Sequence, residues 1–351
     1  MDISNFDYHL SPILIAQKPL AKRDNSRLLV INRLKKTIEH RHFSDILNLL
    51  SPNDVLVLNN TKVFPARIFG KKETGGKVEV LITKDLGHSS WKALTKPGIK
   101  ENQTIVFPGF LGTVTKREDE IAIIKFNISS DKLMQKLIKL GRTPLPPYIH
   151  STQSEDLLKK EYQTVYAQNL GSVAAPTAGF HFTKNLLNKL SQKGIAIEYV
   201  TLHVGLGTFA PIKERDLTKH EIHSEYFELL PAVAKRLNEA KIKGKRIIAV
   251  GTTSTRVLES CIDEKGLLKP QKRQTDIFIY PPFRFKFIDA LITNFHLPKS
   301  TLISLVASFT SYPNTKEKFL NFQSSLVGKG YIKAIKEKYR FYSFGDACFI
   351  E

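Results

Sequence analysis

Cysteine is scarce in this 351-residue chain, which contains only Cys261 and Cys348. Two widely separated cysteines can form neither a disulfide framework nor a paired-cysteine metal site. An apolar run of 18 residues, the length of a membrane span, is also missing, and the first ten residues include Asp2 and Asp7 where a signal peptide would be apolar. The sequence therefore predicts a cytoplasmic protein without membrane association.

A complete dinucleotide-binding fingerprint is absent too. Gly205 and Gly207 follow a predicted strand, but Pro211 and a charged run stand where a third glycine and a helix would be needed. This pattern argues against a Rossmann methyltransferase. It favours a tight turn whose backbone approaches a small molecule closely and places His203 and Thr208 beside that molecule.

A metal-binding signature is equally incomplete. His220, His223 and Glu225 could supply ligands at alternating positions, but neither an HExxH motif nor a cysteine partner accompanies them. We therefore expect no metal. The alternatives are a polar strand edge, or an acid–base or hydrogen-bonding pair in which His223 and Glu225 share one face of a strand.

Positive charge is what the sequence has in excess. The chain carries 53 Lys and Arg against 33 Asp and Glu, a net charge of +20. Such an excess favours a polyanionic partner such as nucleic acid. The alternative is a set of scattered, solvated lysines with no partner.

The hydrophobic pattern changes twice along the chain. Short strands separated by turns run from Phe64 to about Ile128, and a helical pattern with Leu133, Met134, Leu137 and Ile138 on one face follows them. Beyond residue 149 strands and helices alternate. We predict a mixed α/β domain built from residues 1–63 and 150–351, with an inserted small antiparallel β-barrel domain of residues 64–149. The predicted strands are Val78 to Ile82, Trp91 to Leu94, Thr104 to Phe107, Gly112 to Val114, Ile121 to Ile124, Ile195 to Val204, Arg246 to Val250 and Ala290 to Thr293, and the later helices lie near Thr183 to Gln192, Pro231 to Lys243 and Thr253 to Cys261.

Small residues surround Pro176 in the stretch that precedes the first of these later helices. They would let the backbone, with Thr177, approach a ligand closely, and His181 follows between two phenylalanines. A tight loop with a packed histidine is the alternative, since isolated histidines are usually structural.

Four consecutive hydroxyl residues follow the predicted strand that ends at Val250. Thr252, Thr253 and Ser254 belong to this run, and Arg256 comes after it as a helix begins. The amides at a helix N-terminus can bind a carboxylate or a phosphate. Capping of the helix by Thr252 or Thr253 is the alternative, although it explains one hydroxyl more easily than four.

Polar and aromatic residues also meet at the ends of two further predicted strands. Asp276 lies in one of these segments, and Asn294 and His296 lie in the other. Aromatic faces in the same segments can hold an adenine or a sulfonium cation. Core packing explains the apolar members equally well, but it does not explain the polar ones.

Taken together, these motifs resemble the S-adenosylmethionine:tRNA ribosyltransferase-isomerase family of queuosine biosynthesis. The resemblance spans essentially the whole chain, and its successive long motifs in one order are far more specific than a single glycine pair. It includes the segments described above and, in addition, Phe6-Asp-Tyr, Ile15-Ala-Gln, Arg23 to Val30, Asn59 to Val63 and Gly141 to Ile149.

The resemblance implies transfer and isomerisation of the ribosyl moiety of S-adenosylmethionine onto 7-aminomethyl-7-deazaguanine at the tRNA wobble position. Epoxyqueuosine-tRNA, adenine and methionine would be the products, so S-adenosylmethionine is consumed as a substrate. We expect tRNA and this sulfonium compound as partners of a monomer. The residues expected to perform the chemistry are His203, His181, His223, Glu225 and His296, and those expected to bind substrate are Thr177, Thr208, Thr252, Thr253, Ser254, Arg256, Asp276 and Asn294.

Two functions of other classes compete with this reading. A non-catalytic RNA-binding protein would rely on its charge alone, but a phosphate-binding surface needs Lys and Arg more than clustered His, Asn and Thr. A Rossmann methyltransferase would use the same cofactor and would release S-adenosylhomocysteine in place of adenine and methionine.

Overall fold

The computed structural model describes residues 1–205, 212 and 214–351. The strands are β1 Arg27–Asn32, β2 Thr37–His42, β3 Asp54–Asn59, β4 Thr61–Val63, β5 Arg67–Lys72, β6 Lys77–Gly87, β7 Ser90–Lys96, β8 Thr104–Phe107, β9 Phe110–Glu118, β10 Ile121–Phe126, β11 Asn169–Ser172, β12 Ala196–Leu202, β13 Glu225–Leu229, β14 Arg246–Val250, β15 Gln271–Thr275, β16 Ala290–Asn294 and β17 Ala347–Ile350. The α-helices are α1 Ile46–Leu49, α2 Ser130–Leu140, α3 Glu155–Glu161, α4 Lys184–Gln192, α5 Pro231–Ile242, α6 Gly251–Ser260, α7 Thr301–Phe309 and α8 Leu326–Lys336. Short 3₁₀ turns include Ile3–Phe6, Pro12–Leu14, Arg23–Asn25, Phe43–Asp45, Thr177–His181 and Leu217–Lys219.

A nine-stranded mixed sheet forms the larger part of the molecule. Its strand order is β15-β13-β12-β3-β14-β16-β17-β1-β2. The central strands β12, β3, β14 and β16 run parallel to one another, whereas β17 is antiparallel to β16. The carboxyl ends of four neighbouring strands therefore lie along one edge of the sheet, which is where α/β proteins usually bind ligands.

Helices cover both faces of this sheet, so its central strands are apolar on both sides. Side chains alternate along β3, with Val55 and Val57 packing on one face and Leu56 and Leu58 on the other. Helices α5, α6, α7 and α8 cover the first face, and α1 and α4 cover the second. Burial of a continuous hydrophobic core on each face fixes the positions of the loops that follow the strands.

The segment between β4 and α3 forms a closed antiparallel barrel. Its strands are ordered β10-β7-β6-β5-β8-β9 around the barrel. Alternate side chains fill the interior with apolar groups such as Ile68, Val80 and Ala122, and Leu133 and Leu137 of α2 pack onto the same core. Closure leaves no unpaired edge on the barrel.

A narrow neck joins the barrel to the rest of the chain. Arg67, at the start of β5, and Arg142, just after α2, exchange two backbone hydrogen bonds, with N···O distances of 3.2 and 2.7 Å. Gly141 lies so close to this connection that a Cβ atom on it would stand 2.0 Å from the carbonyl oxygen of Pro65. The chain therefore enters and leaves the barrel at one point, which only a glycine at position 141 permits.

The predicted fold class, a mixed α/β fold with a small antiparallel barrel, is confirmed. Several details differ. Ile138, predicted on the same face of α2 as Leu133, Met134 and Leu137, is 52% exposed, whereas those three residues pack against the barrel core. The domain limits at residues 63 and 150 stay a prediction. No helix in the described residues combines the length and the apolar character needed to cross a bilayer.

Candidate active site at the carboxyl edge of the sheet

A cavity of about 500 Å³, including its open mouth, lies at the carboxyl edge of the sheet. Residues at the ends of β14 and β16 form one side of it. Val204 after β12, Leu302 of α7, the segment that ends in the 3₁₀ turn Thr177–His181 and the segments before α3 and β17 contribute the rest. Its polar and aromatic lining residues are Tyr148, Thr177, Thr252, Thr253, Thr293, Asn294, Phe295, His296, Tyr342 and Ser343.

The N-terminus of α6 opens directly onto this cavity. The chain turns from β14 into the helix at Gly251, whose φ of 88° is accessible to glycine at little cost. No side chain of the described residues caps the helix, so neither Thr252 nor Thr253 acts as the cap considered above. The first-turn amides of α6, which has ten residues, are thus available to a ligand.

Besides the uncapped amides, the N-terminus of α6 has a second unusual feature, the side chain of Thr253. This side chain lines the cavity and is only 6% exposed, yet within the described part of the chain its hydroxyl has no hydrogen-bond partner. Two neighbouring hydroxyls differ, because Ser254 donates to the carbonyl of Val250 at 2.8 Å and Thr255 to that of Gly251 at 3.2 Å. A buried hydroxyl without a partner is costly, which points to a bound group that satisfies it.

A hydrogen-bonded chain of polar side chains forms another wall. The Thr177 hydroxyl donates to Oδ1 of Asn294 at 3.1 Å, and Nδ2 of Asn294 donates to Nε2 of His181 at 3.2 Å and to the carbonyl of Tyr342 at 3.2 Å. His181 also bonds through Nδ1 to the hydroxyl of Ser26 at 2.8 Å. These hydrogen bonds hold the Asn294 amide in a fixed orientation at the cavity wall.

His181 itself stands behind this wall. Burial lowers its pKa from 6.5 to about 3, and the charges of Arg340 and Arg23 act in the same direction. A neutral imidazole that accepts at Nε2 carries its proton on Nδ1. The lone pair of His181 Nε2 thus accepts from the Asn294 amide, and the ring helps to hold this amide in place.

His296 lies in the cavity lining and is rigidly held. Its Nε2 is 2.8 Å from the hydroxyl of Thr293, and its backbone amide donates to the hydroxyl of Tyr331 at 3.0 Å. Burial lowers the pKa of His296 from 6.5 to about 3, so the ring is neutral at physiological pH. Such a ring can hydrogen bond to a ligand, but it is a weak base.

Two tyrosines that the sequence reasoning did not single out contribute aromatic faces. The rings of Tyr148 and Tyr342 lie 4.9 Å apart, and the Tyr148 hydroxyl is 2.7 Å from that of Ser343. Burial raises the pKa of Tyr342 to about 12 and raises that of Tyr148 as well, so both phenols are neutral. The available signal for Tyr148 was its place in the family motif of residues 141–149.

His203 belongs to a separate cluster outside the cavity lining. Its Nδ1 is 2.7 Å from the Thr61 hydroxyl, and its ring stacks on Tyr226 with centroids 5.5 Å apart. Burial lowers the pKa of His203, while the charge of Glu228 acts in the opposite direction. The cluster adjoins the cavity through Val204, the next residue, which does line it.

Glu225 and Arg256 form a buried ion pair. Glu225 also accepts from the amide of Gly205 at 2.7 Å, and Arg256 donates to the carbonyls of Ile277 and Thr275 at 3.3 and 3.4 Å. These contacts tie α6 to β13 and to the loop after β12. Neither side chain, nor that of Ser254, lines the cavity.

Two other predicted site residues, among those that the structure describes, are not brought to the cavity. The expectation that His223 and Glu225 share a strand face is wrong, because β13 begins at Glu225 and His223 is exposed before it. Asp276 is exposed after β15, and Thr208 lies outside the described residues. No three His, Cys, Asp or Glu side chains among residues 1–205, 212 and 214–351 are grouped as metal ligands, and the absence of a metal stays a prediction.

Comparison with known proteins gives full-length matches. A family model described as "Queuosine biosynthesis protein" matches residues 3–350. Proteins named S-adenosylmethionine:tRNA ribosyltransferase-isomerase from Thermosipho melanesiensis and Halothermothrix orenii are 46% and 48% identical, with 100% of both chains covered in each comparison. The crystal structure of S-adenosylmethionine tRNA ribosyltransferase from Thermotoga maritima matches with a TM-score of 0.54 and 35% sequence identity. The match covers 99% of this chain and 100% of the Thermotoga maritima chain. The chain therefore belongs to the queuosine biosynthesis family of S-adenosylmethionine:tRNA ribosyltransferase-isomerases.

Proposed function

We propose that this protein transfers and isomerises the ribosyl moiety of S-adenosylmethionine onto 7-aminomethyl-7-deazaguanine at the wobble position of tRNA. Adenine and methionine leave, and the tRNA retains epoxyqueuosine. The sulfonium compound is a consumed substrate, and no metal takes part. The protein would act in the cytoplasm as a monomer, with residues 1–63 and 150–351 forming the catalytic domain and residues 64–149 the inserted barrel domain.

One structural observation carries this proposal: the cavity joins an uncapped helix N-terminus to aromatic side chains. S-adenosylmethionine combines a carboxylate, a sulfonium cation and an adenine ring. The α6 amides and the unpartnered Thr253 hydroxyl suit the carboxylate. Tyr148 and Tyr342 suit the cation or the ring, since both bind to aromatic faces.

The remaining lining residues then receive roles. Thr252, in α6, and Thr177, in the 3₁₀ turn, both line the cavity and would bind the methionine and ribose ends of the substrate. Asn294, held by His181, would orient the ribose, and His296 would hydrogen bond to the substrate as a neutral ring. His181 acts through Asn294 and is a positioning residue on this proposal.

The reaction also needs a base, because a proton next to the sulfonium must be removed. We assign this role to His203. A pKa of about 3 makes His296 too weak a base, since general bases work best with a pKa near the operating pH. Burial lowers the pKa of His203 as well, but this ring is only partly buried and the charge of Glu228 favours its protonated form. The reacting ribose would then lie next to Val204, between the cavity and the His203 ring.

The direct test is incubation of the protein with S-adenosylmethionine and tRNA that carries the precursor base. We expect adenine and methionine in equal amounts, detected by chromatography, and none when the tRNA carries unmodified guanine. Formation of S-adenosylhomocysteine would identify a methyltransferase instead. Tight tRNA binding without any turnover would identify a non-catalytic RNA-binding protein.

A further inference from the structure

The outward face of β5 presents an exposed aromatic ring between two cations. Arg67, Phe69 and Lys71 alternate with the buried Ile68 and therefore point away from the barrel core. Phe69 is 44% exposed, which is unusual for a phenylalanine on a strand. Alternating cationic and aromatic side chains are typical of surfaces that bind single-stranded nucleic acid.

Arg142 extends this arrangement across the neck. Its backbone pairs with Arg67, and its exposed guanidinium lies 5.1 Å from the centroid of the Phe69 ring. The Phe69 ring is thus in contact with the Arg142 cation and remains partly exposed to solvent.

An open groove runs from this ring to the segment that follows the neck. Its volume, including the open side, is about 1380 Å³. We call it the β5 groove; its exposed lining includes Phe69, Arg142, Pro147 and His150. Tyr148 stands in the same segment and lines the cavity of the active site, so the groove and the cavity share one wall.

The charges in the β5 groove favour an anionic occupant. Glu79, 3.3 Å from Nε of Arg67, offsets the charge of Arg67, and the Glu155 carboxylate accepts from both the amide and the hydroxyl of Thr143 at 2.5 Å, so Arg142 is the exposed cation that attracts an anion. In the portion of the chain that the structure describes, Arg142 forms no ion pair with a carboxylate. A second copy of this chain, with its own charge of +20, is a poor occupant.

We propose that the β5 groove binds the nucleotide next to the wobble nucleotide, with its base stacked on Phe69 and its phosphates bound by Arg142 and Lys71. This inference rests on the proposed function. The wall shared through Tyr148 places the neighbouring nucleotide of one RNA strand in the groove when the wobble base enters the cavity. The barrel thereby contributes a base contact as well as general electrostatic attraction.

The test replaces Phe69 by alanine and, as the conservative variant, by tyrosine. Phe69→Ala should raise the KM for tRNA about tenfold, while kcat and the KM for S-adenosylmethionine stay at wild-type values, because a stacked base stabilises binding by roughly that factor. Phe69→Tyr, which keeps an aromatic face, should behave like wild type. Leu86→Ala, at another exposed apolar position of the barrel, is the matched control.

A binding measurement separates stacking from loss of activity. An anticodon stem-loop RNA with 2-aminopurine beside the wobble position should lose fluorescence on binding to the wild-type protein and to Phe69→Tyr, but not to Phe69→Ala. Equal quenching by wild type and Phe69→Ala, with an unchanged KM for tRNA, would overturn the inference. So would quenching by neither protein, as expected if the groove takes an acidic protein segment. Failure of the proposed function would instead appear as absent adenine release by the wild type.

Discussion

The barrel and the carboxyl edge of the sheet place their polar side chains in opposite ways. Between residues 64 and 149, all of which the structure describes, Thr143 is the one polar side chain that is fully buried. This segment carries 15 Lys and Arg against 8 Asp and Glu, mostly on its surface. At the sheet edge, by contrast, Thr253, Asn294 and His296 are all buried around a cavity.

This difference indicates a division of work between the two regions. Buried polar groups interact strongly with a bound substrate because water does not compete for them. Exposed cations attract a polyanion over a longer range, and salt weakens them. We therefore assign substrate chemistry to the sheet edge and much of the tRNA affinity to the barrel.

The largest expected effect concerns acid. His181 and His296 have folded-state pKa values near 3, lowered from 6.5, so the unfolded chain binds more protons than the folded one below pH 6.5. Their contribution to stability is complete above pH 6.5 and is lost as the pH falls towards 3, by up to about 1.4 kcal/mol per pH unit for each ring. We expect the α/β part to unfold in mild acid while the barrel remains folded.

The chain offers a probe for each region in this experiment. Trp91, the only tryptophan, is buried inside the barrel, whereas most helices belong to the α/β part. On acidification, helical circular dichroism should decrease before Trp91 fluorescence changes. His181→Gln should flatten the pH dependence, and the exposed His223→Gln should not. Simultaneous loss of both signals would contradict the comparison.

A large loss of activity is expected from Asn294→Ala. The change leaves His181, Thr177 and the Tyr342 carbonyl without this partner, which costs about 1–3 kcal/mol of unfolding free energy. We expect kcat/KM to fall about 100-fold, because a misplaced wall disturbs the alignment of the substrate. Asn238→Ala, which removes two bonds to the Leu268 backbone far from the cavity lining, should lower the thermal midpoint to a similar extent with normal kinetics.

A smaller effect is expected from Thr253→Val, which should weaken substrate binding without lowering the stability of the protein. This isosteric change removes a hydroxyl that lacks a partner in the described structure, so stability should stay constant or rise slightly. The KM for S-adenosylmethionine should nevertheless rise about tenfold, the value of a hydrogen bond to a charged group. Thr255→Val is the matched control, since Thr255 bonds to Gly251, and it should lower stability without changing this KM. Loss of stability in Thr253→Val would show that its hydroxyl serves the fold.

The smallest expected effect belongs to the barrel surface. Replacement of Lys71, Lys72 and Lys77 by Gln should weaken tRNA binding several-fold at low salt. It should also reduce the slope of log K against log salt by about two, since each phosphate contact to a single strand contributes roughly 0.7. Binding of S-adenosylmethionine should not change.

The control for this surface lies at the opposite edge of the sheet. Lys189 lies in the last turn of α4, Lys243 follows α5 and Lys265 lies beyond α6, and none of the three lines the cavity. The same replacement there removes an equal charge and should alter the salt slope less. Equal slopes for the two triple variants would mean that net charge, and not the barrel surface, governs tRNA binding.

Much of the fold could be predicted because its signals are local. The run Val55 to Leu58 and the strand Arg246–Val250 are apolar on both faces, which is typical of a covered parallel sheet, and the barrel strands alternate in the expected way. The family motifs also predicted Thr177, Thr253, Asn294 and His296, all of which line the cavity.

What could not be predicted depends on distant contacts. Arg256 looks like a ligand residue beside the hydroxyl run, but Glu225, from another strand, pairs with it in the interior. His181 looks like a base until Asn294 and Ser26 are seen to occupy both its nitrogens. A single sequence does not show these partners, because each is more than 30 positions away.

The neck between Arg67 and Arg142 has a consequence for how this architecture can vary. Because its two strands are already paired, the barrel behaves as a loop with closed ends, and doubling the length of such a loop costs only about 0.6 kcal/mol in closure entropy. Hairpins of the barrel can therefore lengthen, shorten or be exchanged between relatives without disturbing the sheet. Only the join is constrained, where a side chain at position 141 would collide with Pro65.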